Sequence, residues 1–400
     1  MENSYEKRRP RSDFDIHKTG TRVFQIENLF PYSFVPVQKD PSSKEWGRIM
    51  HSDGAGSKPI LNYLHWKETN NIEIFRWIAD DVVAMNLDDI FCVTVDPAVE
   101  FVDYVAINRF KLPKEEFLEV LNNGFKRAFE TLEKYGIKIN WLGGETAEAS
   151  DQVRTVDVSG TVRARVKIKD AITGERVMPG DVIIGLGSYG KGAWEEIENS
   201  GIMSNGITVA RHCLMTPDYV AKYPEIADPE IREYKGKFKT GQYLEELKMT
   251  VGEALVSPTR IFAPVLKLII EKYGSENIHG ITHNTGGGLT KTLRIGKGIH
   301  YIKNNLLPIP PIFSLIQKES ERPWQSMFEG LNNGIGMEIV ASKEFAPRII
   351  KDVEQFNIPV SIIGYCAANK DKEKFSTSHG NRMTIISEFG VFKYPYEKIY

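Results

Sequence analysis

Cysteine is scarce. Cys92, Cys213 and Cys366 are the three in 400 residues, far apart and without a CxxC pair, which excludes a disulfide framework and a zinc knuckle. An excess of charge of one sign is also missing. Lys plus Arg total 51 against 53 Asp plus Glu, a formal charge of -2 at pH 7, so neither a nucleic-acid partner nor a basic membrane-surface role is expected. No stretch approaches the roughly 18 apolar residues of a membrane span. The opening MENSYEKRRPRSDFD has charge but no apolar core, so neither export nor anchoring is expected and a reducing cytoplasm is the expected compartment. Walker A loops, HExxH pairs and Gly-x-Ser-x-Gly elbows are all lacking. The eight histidines show no ligand spacing and read as structural.

What is present describes a folded enzyme. Apolar residues make up 41% and charged residues 26%, near the globular average. The length suggests two domains at roughly 150 residues each. Lys7, Arg8, Arg9 and Arg11 read as a solvated tail, followed by an irregular aromatic and proline stretch, LFPYSFVPVQKD. From Pro113, Phe117, Leu121, Phe125, Ala128 and Leu132 fall on one helical stripe that Gly136 stops. Ile137 to Leu142 reads as a buried strand, and the alternation of Val156, Val158, Val162, Ala164, Val166 and Ile168 predicts a strand with one buried face. A boundary falls near residue 170, so the expected domains are 1–170 and 171–400. A new strand is expected over Val182 to Leu186, a charged insertion lies around 190–250, and periodicity returns at Ile261 to Ile269. Helix and strand signals alternate in both halves, which predicts an α/β or α+β enzyme with largely antiparallel strands.

Four segments carry chemistry. His51 to Lys58 (HSDGAGSK) combines glycines that permit close backbone approach to phosphate, a lysine, and Asp53 as an oxygen ligand for a cation. A Gly-rich turn with lysine is also a common structural element. Asp80 to Ile90 brackets an apolar stretch with four acids, Asp80, Asp81, Asp88 and Asp89. At helical spacing Asp81, Met85 and Asp89 share a face and point at one cation, or else Ile78, Val82, Met85 and Ile90 form a core stripe and the acids are solvated. Trp141 to Glu148 (WLGGETAE) puts Glu145 on a glycine-loosened turn at a strand end. Thr282 to Leu289 (THNTGGGL) places three glycines before a helix, where backbone N–H groups meet an anion. Oxygen ligands for Mg²⁺ in one half and anion-binding turns in both halves point to nucleotide-using phosphoryl transfer.

In order and spacing these segments resemble the aminoimidazole ribonucleotide synthetase family, the phosphoribosylformylglycinamidine cyclo-ligases. The family's DGVGTK stands as Asp53 to Lys58, DLVAMNVNDL as Asp81 to Ile90, and GGETAE as Gly143 to Glu148. HSNG stands as Met203 to Gly206, PTRIY as Pro258 to Phe262, HxTGGG as His283 to Gly288, and FNCGVGM as Leu331 to Met337. The resemblance implies a two-domain AIR-synthase-like fold whose N-terminal domains pair as a homodimer through a β-barrel, with a C-terminal α/β domain. It implies ATP and Mg²⁺, ring closure of formylglycinamidine ribonucleotide, and a metal held by Asp53, Asp89 and Glu145. By the same likeness Asp53, Lys58 and Asp81 serve catalysis, and Gly54, Gly56, Lys58, Asp81, Asn86, Gly143, Gly144 and Thr146 adjoin the nucleotide. Ser204, Asn205, Gly206, Thr285, Gly286, Gly287 and Gly288 face the substrate. Three departures stand out: Phe30 to Pro36 carries no glycine where the family has a glycine-rich stretch, Met203 replaces the family's histidine, and KGAWEEIENSG precedes it as an insertion. Two other readings are a related enzyme with another acceptor, in the manner of the selenophosphate synthetase or thiamine-phosphate kinase families, and a non-catalytic nucleotide-binding homodimer.

Overall fold

A computed structural model describes residues 28–93, 96, 98–230, 233–370 and 376–395. The basic run Lys7 to Arg11 lies outside them. The first half is a five-stranded sheet of β1 (Gln38–Lys39), β2 (Trp46–Gly54), β3 (Ala98–Ile107), β4 (Lys138–Glu148) and β5 (Val156–Lys167), in the order β1-β2-β5-β3-β4. Its pairs are antiparallel except β3 with β4, which the helix Lys114–Lys134 connects as a crossover. That helix buries the expected stripe, Phe117, Leu121, Phe125, Ala128 and Leu132, and ends before Gly136, whose φ is +74°. Phe101 of β3 meets Phe125 and Phe129 at ring distances of 5.5 and 5.4 Å. Strand β5 buries alternate residues as expected.

Strand β4 differs from expectation. It is a strand, but it forms the sheet's edge and none of its residues is buried; Trp141 is 56% and Leu142 63% exposed. An apolar run looks the same at an edge as in a core, so its pattern alone did not distinguish the two. The GGET segment also lies inside the strand instead of on a turn after it. Opposite β3 the register shifts between Phe101 and Asp103, where Trp141 and Gly144 pair, and Gly143 takes φ +104°: the glycines absorb a bulge.

The second half is a seven-stranded sheet of β6 (Val182–Gly187), β11 (Ile278–His283), β12 (Ile299–Lys303), β13 (Ile335–Ala341), β14 (Val360–Ala368), β15 (Arg382–Ser387) and β16 (Gly390–Tyr394), in the order β11-β13-β6-β14-β12-β15-β16. All neighbours are antiparallel except β12 with β15. Two short ribbons, β7 (Tyr189–Gly190) with β8 (Asn199–Ser200) and β9 (Tyr243–Leu244) with β10 (Met249–Thr250), complete it. The insertions fold against the first half. Trp194 sits between Tyr135 and Phe356 at 5.6 Å from each ring, and Glu196 pairs with Arg76 at 2.7 Å. Farther on, Tyr223 donates to Glu68 at 2.8 Å, and Tyr219, Val220 and Ile226 are buried. No helix among the described residues is long and apolar enough to cross a membrane.

Between the two sheets runs the helix Ile78–Phe91, all 14 of whose residues are buried. Ile78, Val82, Met85 and Ile90 are buried as expected of a core stripe, but neither account of the four acids survives. They are not solvated, and they do not converge on one cation, because Asp81 and Asp89, eight residues apart, are separated by about 12 Å of helix axis. Each has a partner of its own. Asp80 pairs with Arg127; Asp81 accepts from Lys58 Nζ at 2.7 Å; Asp88 accepts from the backbone N–H groups of Phe262 and Ala263 at 2.8 and 2.9 Å; Asp89 bonds His283 Nδ1 at 2.8 Å.

Burial pushes the Asp80 carboxyl up to about 7 against the pull of Arg127, with the Asp81 charge adding to the rise; the unfolded chain ionises it near 3.8. A raised carboxyl contributes stability below its unfolded value and loses it as the pH rises toward the folded one. Wild type should therefore lose ground to Asp80→Asn between about pH 4 and about pH 7, by at most on the order of 1 kcal/mol per pH unit, with a constant gap above that window. Urea unfolding of both proteins across that range checks it; parallel pH profiles would contradict the assignment.

Candidate active site between the two halves

Strand β2 delivers Asp53 beside the central helix, where Asn86 closes a two-way bond with it: Asn86 Oδ1 accepts from the Asp53 N–H at 3.0 Å and Asn86 Nδ2 donates to the Asp53 carbonyl at 2.9 Å. The chain then turns at Gly54 to Gly56 into the helix Lys58–Thr69. A β-carbon on Gly56 would lie 3.7 Å from the Ser204 carbonyl oxygen, and Ser57 Oγ shares a hydrogen bond of 2.8 Å with Thr208 Oγ1. The Ser204-Asn205-Gly206 turn therefore stands against the glycine turn of the first half. A β-carbon on Gly286 would in turn lie 3.3 Å from Asn205 Oδ1.

Leu331 locks the glycine turns together. A β-carbon at Gly206 (φ +78°) would come within 1.9 Å of Leu331 Cδ2, so a side chain there is strained and displaces Leu331, and one at Gly288 (φ +51°) would come within 2.3 Å of the Leu331 carbonyl oxygen, where backbone leaves no room. The turn after β11 leads into a helix as expected, a 3₁₀ helix over Gly288–Arg294, and the Gly288 N–H bonds the Thr285 carbonyl at 2.8 Å within the turn. Beneath it Glu338 bonds Asn284 Nδ2 at 2.8 Å, Lys303 Nζ at 2.6 Å, and the Thr292 hydroxyl. This buried network holds the turn from below.

Asp53, Asn86, Asp89, Ser204, Asn205, Gly206 and Thr285 to Gly288 are thus brought into one region. Lys58 and Asp81 join them from behind as a closed pair with no exposed surface. Asp81 Oδ1 also accepts from the Thr259 N–H at 2.8 Å and from its hydroxyl at 2.6 Å, and Lys58 Nζ donates to the Ser257 carbonyl. Gly143, Gly144, Glu145 and Thr146 are not part of this region within one chain. Across the sheet Asp53 pairs with Gly160, Gly160 with Asp103 and Asp103 with Gly144, so Glu145 is one residue out of register with Asp53 and on the opposite face. Three strand spacings separate the two positions by roughly 14 Å.

Magnesium ligation follows from this geometry. The metal trio Asp53, Asp89 and Glu145 is not assembled by one chain, and among the described residues no three His, Cys, Asp or Glu groups form a metal cluster. Asp53 and Asp89 do fit as a pair. Burial raises the Asp53 carboxyl above its ordinary range and the Asp89 charge adds to it, which is repulsion a divalent cation would relieve. Burial would raise Asp89 too, but the hydrogen bond and charge of His283, with His51 behind them, hold it below the usual carboxylate range. Two carboxylates completed by phosphate oxygens and water are a common Mg²⁺ arrangement.

Several groups here were not singled out from sequence. His51 Nε2 stands 3.4 Å from Asp89, and His283, fully buried, leaves Nε2 without a partner. Asn205 Nδ2 and Asp81 Oδ2 are likewise buried and unpartnered. Unspent polar atoms gathered at one place mark where a ligand or ordered water belongs. Lys291, three residues past Gly288, is buried with its amine pushed down to about 8 by burial first and then by Arg294. A scattered histidine or lysine has no spacing signal; only the tertiary neighbours expose it.

The comparisons bear on the same residues. The AIR synthase related protein N-terminal domain matches residues 41–166, and the corresponding C-terminal domain matches 178–375. The phosphoribosylformylglycinamidine cyclo-ligase of Methanococcus vannielii is 33% identical over 317 residues, 79% of this chain and 76% of that protein. The protein of the same name from Pyrococcus horikoshii is 33% identical over 302 residues, 75% of this chain and 74% of its own. Among solved structures, phosphoribosylformylglycinamidine synthase II of Thermotoga maritima superposes with a TM-score of 0.52 at 10% identity, over 95% of this chain and 48% of that one, so the chain spans about half the synthase's length. A structure described as AaThiL complexed with AMPPCP and TMP superposes with a TM-score of 0.54 at 10% identity, over 95% and 96% of the two chains. At such identities these structures establish the two-domain α/β fold.

Lys58→Met should leave Asp81 as a buried charge without a counter-ion and cost about 3–5 kcal/mol of stability. Urea unfolding measures it. A loss under about 1 kcal/mol would show that the pair does not hold the fold.

Proposed function

The chain belongs to the AIR synthase related family, and from that membership we propose that it converts formylglycinamidine ribonucleotide to 5-aminoimidazole ribonucleotide, consuming ATP and releasing ADP and phosphate, in purine biosynthesis. It is a ligase, as its relatives named phosphoribosylformylglycinamidine cyclo-ligase are. The observation that carries the reading is identity of 33% to such relatives over about three quarters of both chains.

In this reading the half up to about residue 170 binds ATP and pairs two copies in the cytoplasm, and the half from 171 supplies the substrate turns. The formyl amide oxygen attacks the γ-phosphorus and ADP leaves. An amidine nitrogen then attacks the activated carbon, phosphate departs and a proton is lost. An amide oxygen leaves poorly until it is phosphorylated, which is why the ring closure needs ATP. Asp53 and Asp89 would hold Mg²⁺, which offsets charge on the transferred group. Asn205 and the Thr285 to Gly288 turn would orient the substrate, bringing both reacting ends together. His283, fixed at Nδ1 by Asp89, keeps Nε2 available to hold the departing proton. Lys58 and Asp81 act through the frame they brace.

The homodimer is supported by the outward face of the first sheet, where Met50 is 61% and Tyr104 43% exposed, with Thr161 and Arg163 of β5 between their strands. Pairing through that face would place Glu145 in the interface. Met50→Asp combined with Tyr104→Asp should convert the sedimenting species from dimer to monomer; an unchanged mass would remove this face from the interface.

The function is tested with purified protein, Mg²⁺-ATP and formylglycinamidine ribonucleotide, following ADP release and scoring aminoimidazole ribonucleotide by a colour reaction. Product is expected, and Asp89→Asn should lower turnover by about a hundredfold with its circular dichroism unchanged. Nucleotide binding without product would point instead to a related enzyme with another acceptor, and unchanged turnover in the variant would count against the ligand pair.

A further inference from the structure

Three lysines are buried among the described residues: Lys58, Lys291 and Lys303. Two of them are matched. Lys58 meets Asp81 at 2.7 Å, and Lys303 meets Glu338 at 2.6 Å with the Leu289 carbonyl as a further acceptor. Lys291 is 7% exposed, yet among the described residues no oxygen accepts a hydrogen bond from its Nζ. The stem of Lys291 is buried, but its ammonium is not spent on a carboxylate as those of the other two buried lysines are.

Its position is defined on three sides. The stem lies along the glycine turn, with Cγ and Cε each 3.6 Å from where a Gly287 β-carbon would stand. Because i and i+3 eclipse in a 3₁₀ helix, Lys291 is stacked over Gly288. Its Nζ lies 5.3 Å from the ring centre of Phe34, which comes from the glycine-free stretch Phe30 to Pro36. The charged groups that face it are Asp89 and Asp53, which favour the ammonium, and Arg294, which opposes it; the Cys92 thiol, pushed up by burial, is neutral. The amine therefore stands between the carboxylate pair of the first half and the glycine turn of the second, under an aromatic cover. Met203, 1% exposed and without a donor, offers nothing in its place.

We infer that Lys291 is an anion-binding residue of this site, its ammonium donating to a phosphoryl oxygen that rests on the Thr285 to Gly288 turn. The inference rests on the proposed function for the choice of probes. The phosphoryl group belongs either to the nucleotide or to the ribonucleotide substrate, and the two are separable by titration.

The experiment is calorimetric titration of wild type, Lys291→Met and Lys291→Arg, once with Mg²⁺ and AMPPCP alone and once with formylglycinamidine ribonucleotide alone. Loss of a charge-assisted hydrogen bond in Lys291→Met should weaken one ligand by about tenfold to a hundredfold. The weakened ligand identifies the phosphoryl source, and Lys291→Arg should recover most of the affinity. The thermal midpoint of ligand-free Lys291→Met should equal or exceed that of wild type, since no ion pair within the protein is lost. Undiminished affinity for both ligands overturns the inference, as does a lowered midpoint with no recovery in Lys291→Arg, which marks a structural lysine. A chain that binds AMPPCP through Lys291 but makes no aminoimidazole ribonucleotide would sink the proposed reaction and leave the inference standing.

Discussion

Everything between the two sheets depends on one helix, Ile78–Phe91, which is buried on every side while carrying four carboxylates. Such acids cost several kcal/mol each unless every one finds a counter-charge or donors. Their partners come from different parts of the chain: Arg127 from the neighbouring helix, Lys58 and Thr259 from the two halves, the N–H groups of Phe262 and Ala263, and His283 from the second sheet. The second half therefore docks in one register only. A slip of a residue would leave at least one carboxylate buried and alone.

That constraint sorts polar groups into spent and unspent. Lys58 is paired with Asp81 and Lys303 with Glu338, and each pair holds a turn in place, one beside Ser204 and the other under Thr285 to Gly288. Asp53 and Lys291, with the free atoms of Asn205 and His283, are left over where those turns meet, beside the Asp89 that His283 holds. The same folding that pays for burial at the frame leaves charge uncompensated at the centre, which is what a site for phosphoryl groups and a divalent cation requires.

Much of the fold was legible along the chain. The helix Lys114–Lys134 and strand β5 follow from periods of 3.6 and 2, because each has one buried face and one wet face. Strand β4 shows where that logic ends: Trp141 and Leu142 are apolar but sit at an exposed edge, and Glu145 is carried to the sheet's outer face by parity with its paired strands. The acids of Asp80 to Asp89 fail for the opposite reason. A charged residue reads as solvated unless its partner is known, and the partners lie up to 194 residues away in sequence.

The sequence by itself determined the family motifs and their order, because spacing along the chain is written in neighbouring residues. The tertiary structure alone decided that Lys58 is braced, that Lys291 is free, that His51 and His283 flank Asp89, and that Glu145 stands apart from Asp53 within one chain. Charge pairing and desolvation depend on distance in space, and the chain brings these groups together only after both sheets have formed around the central helix.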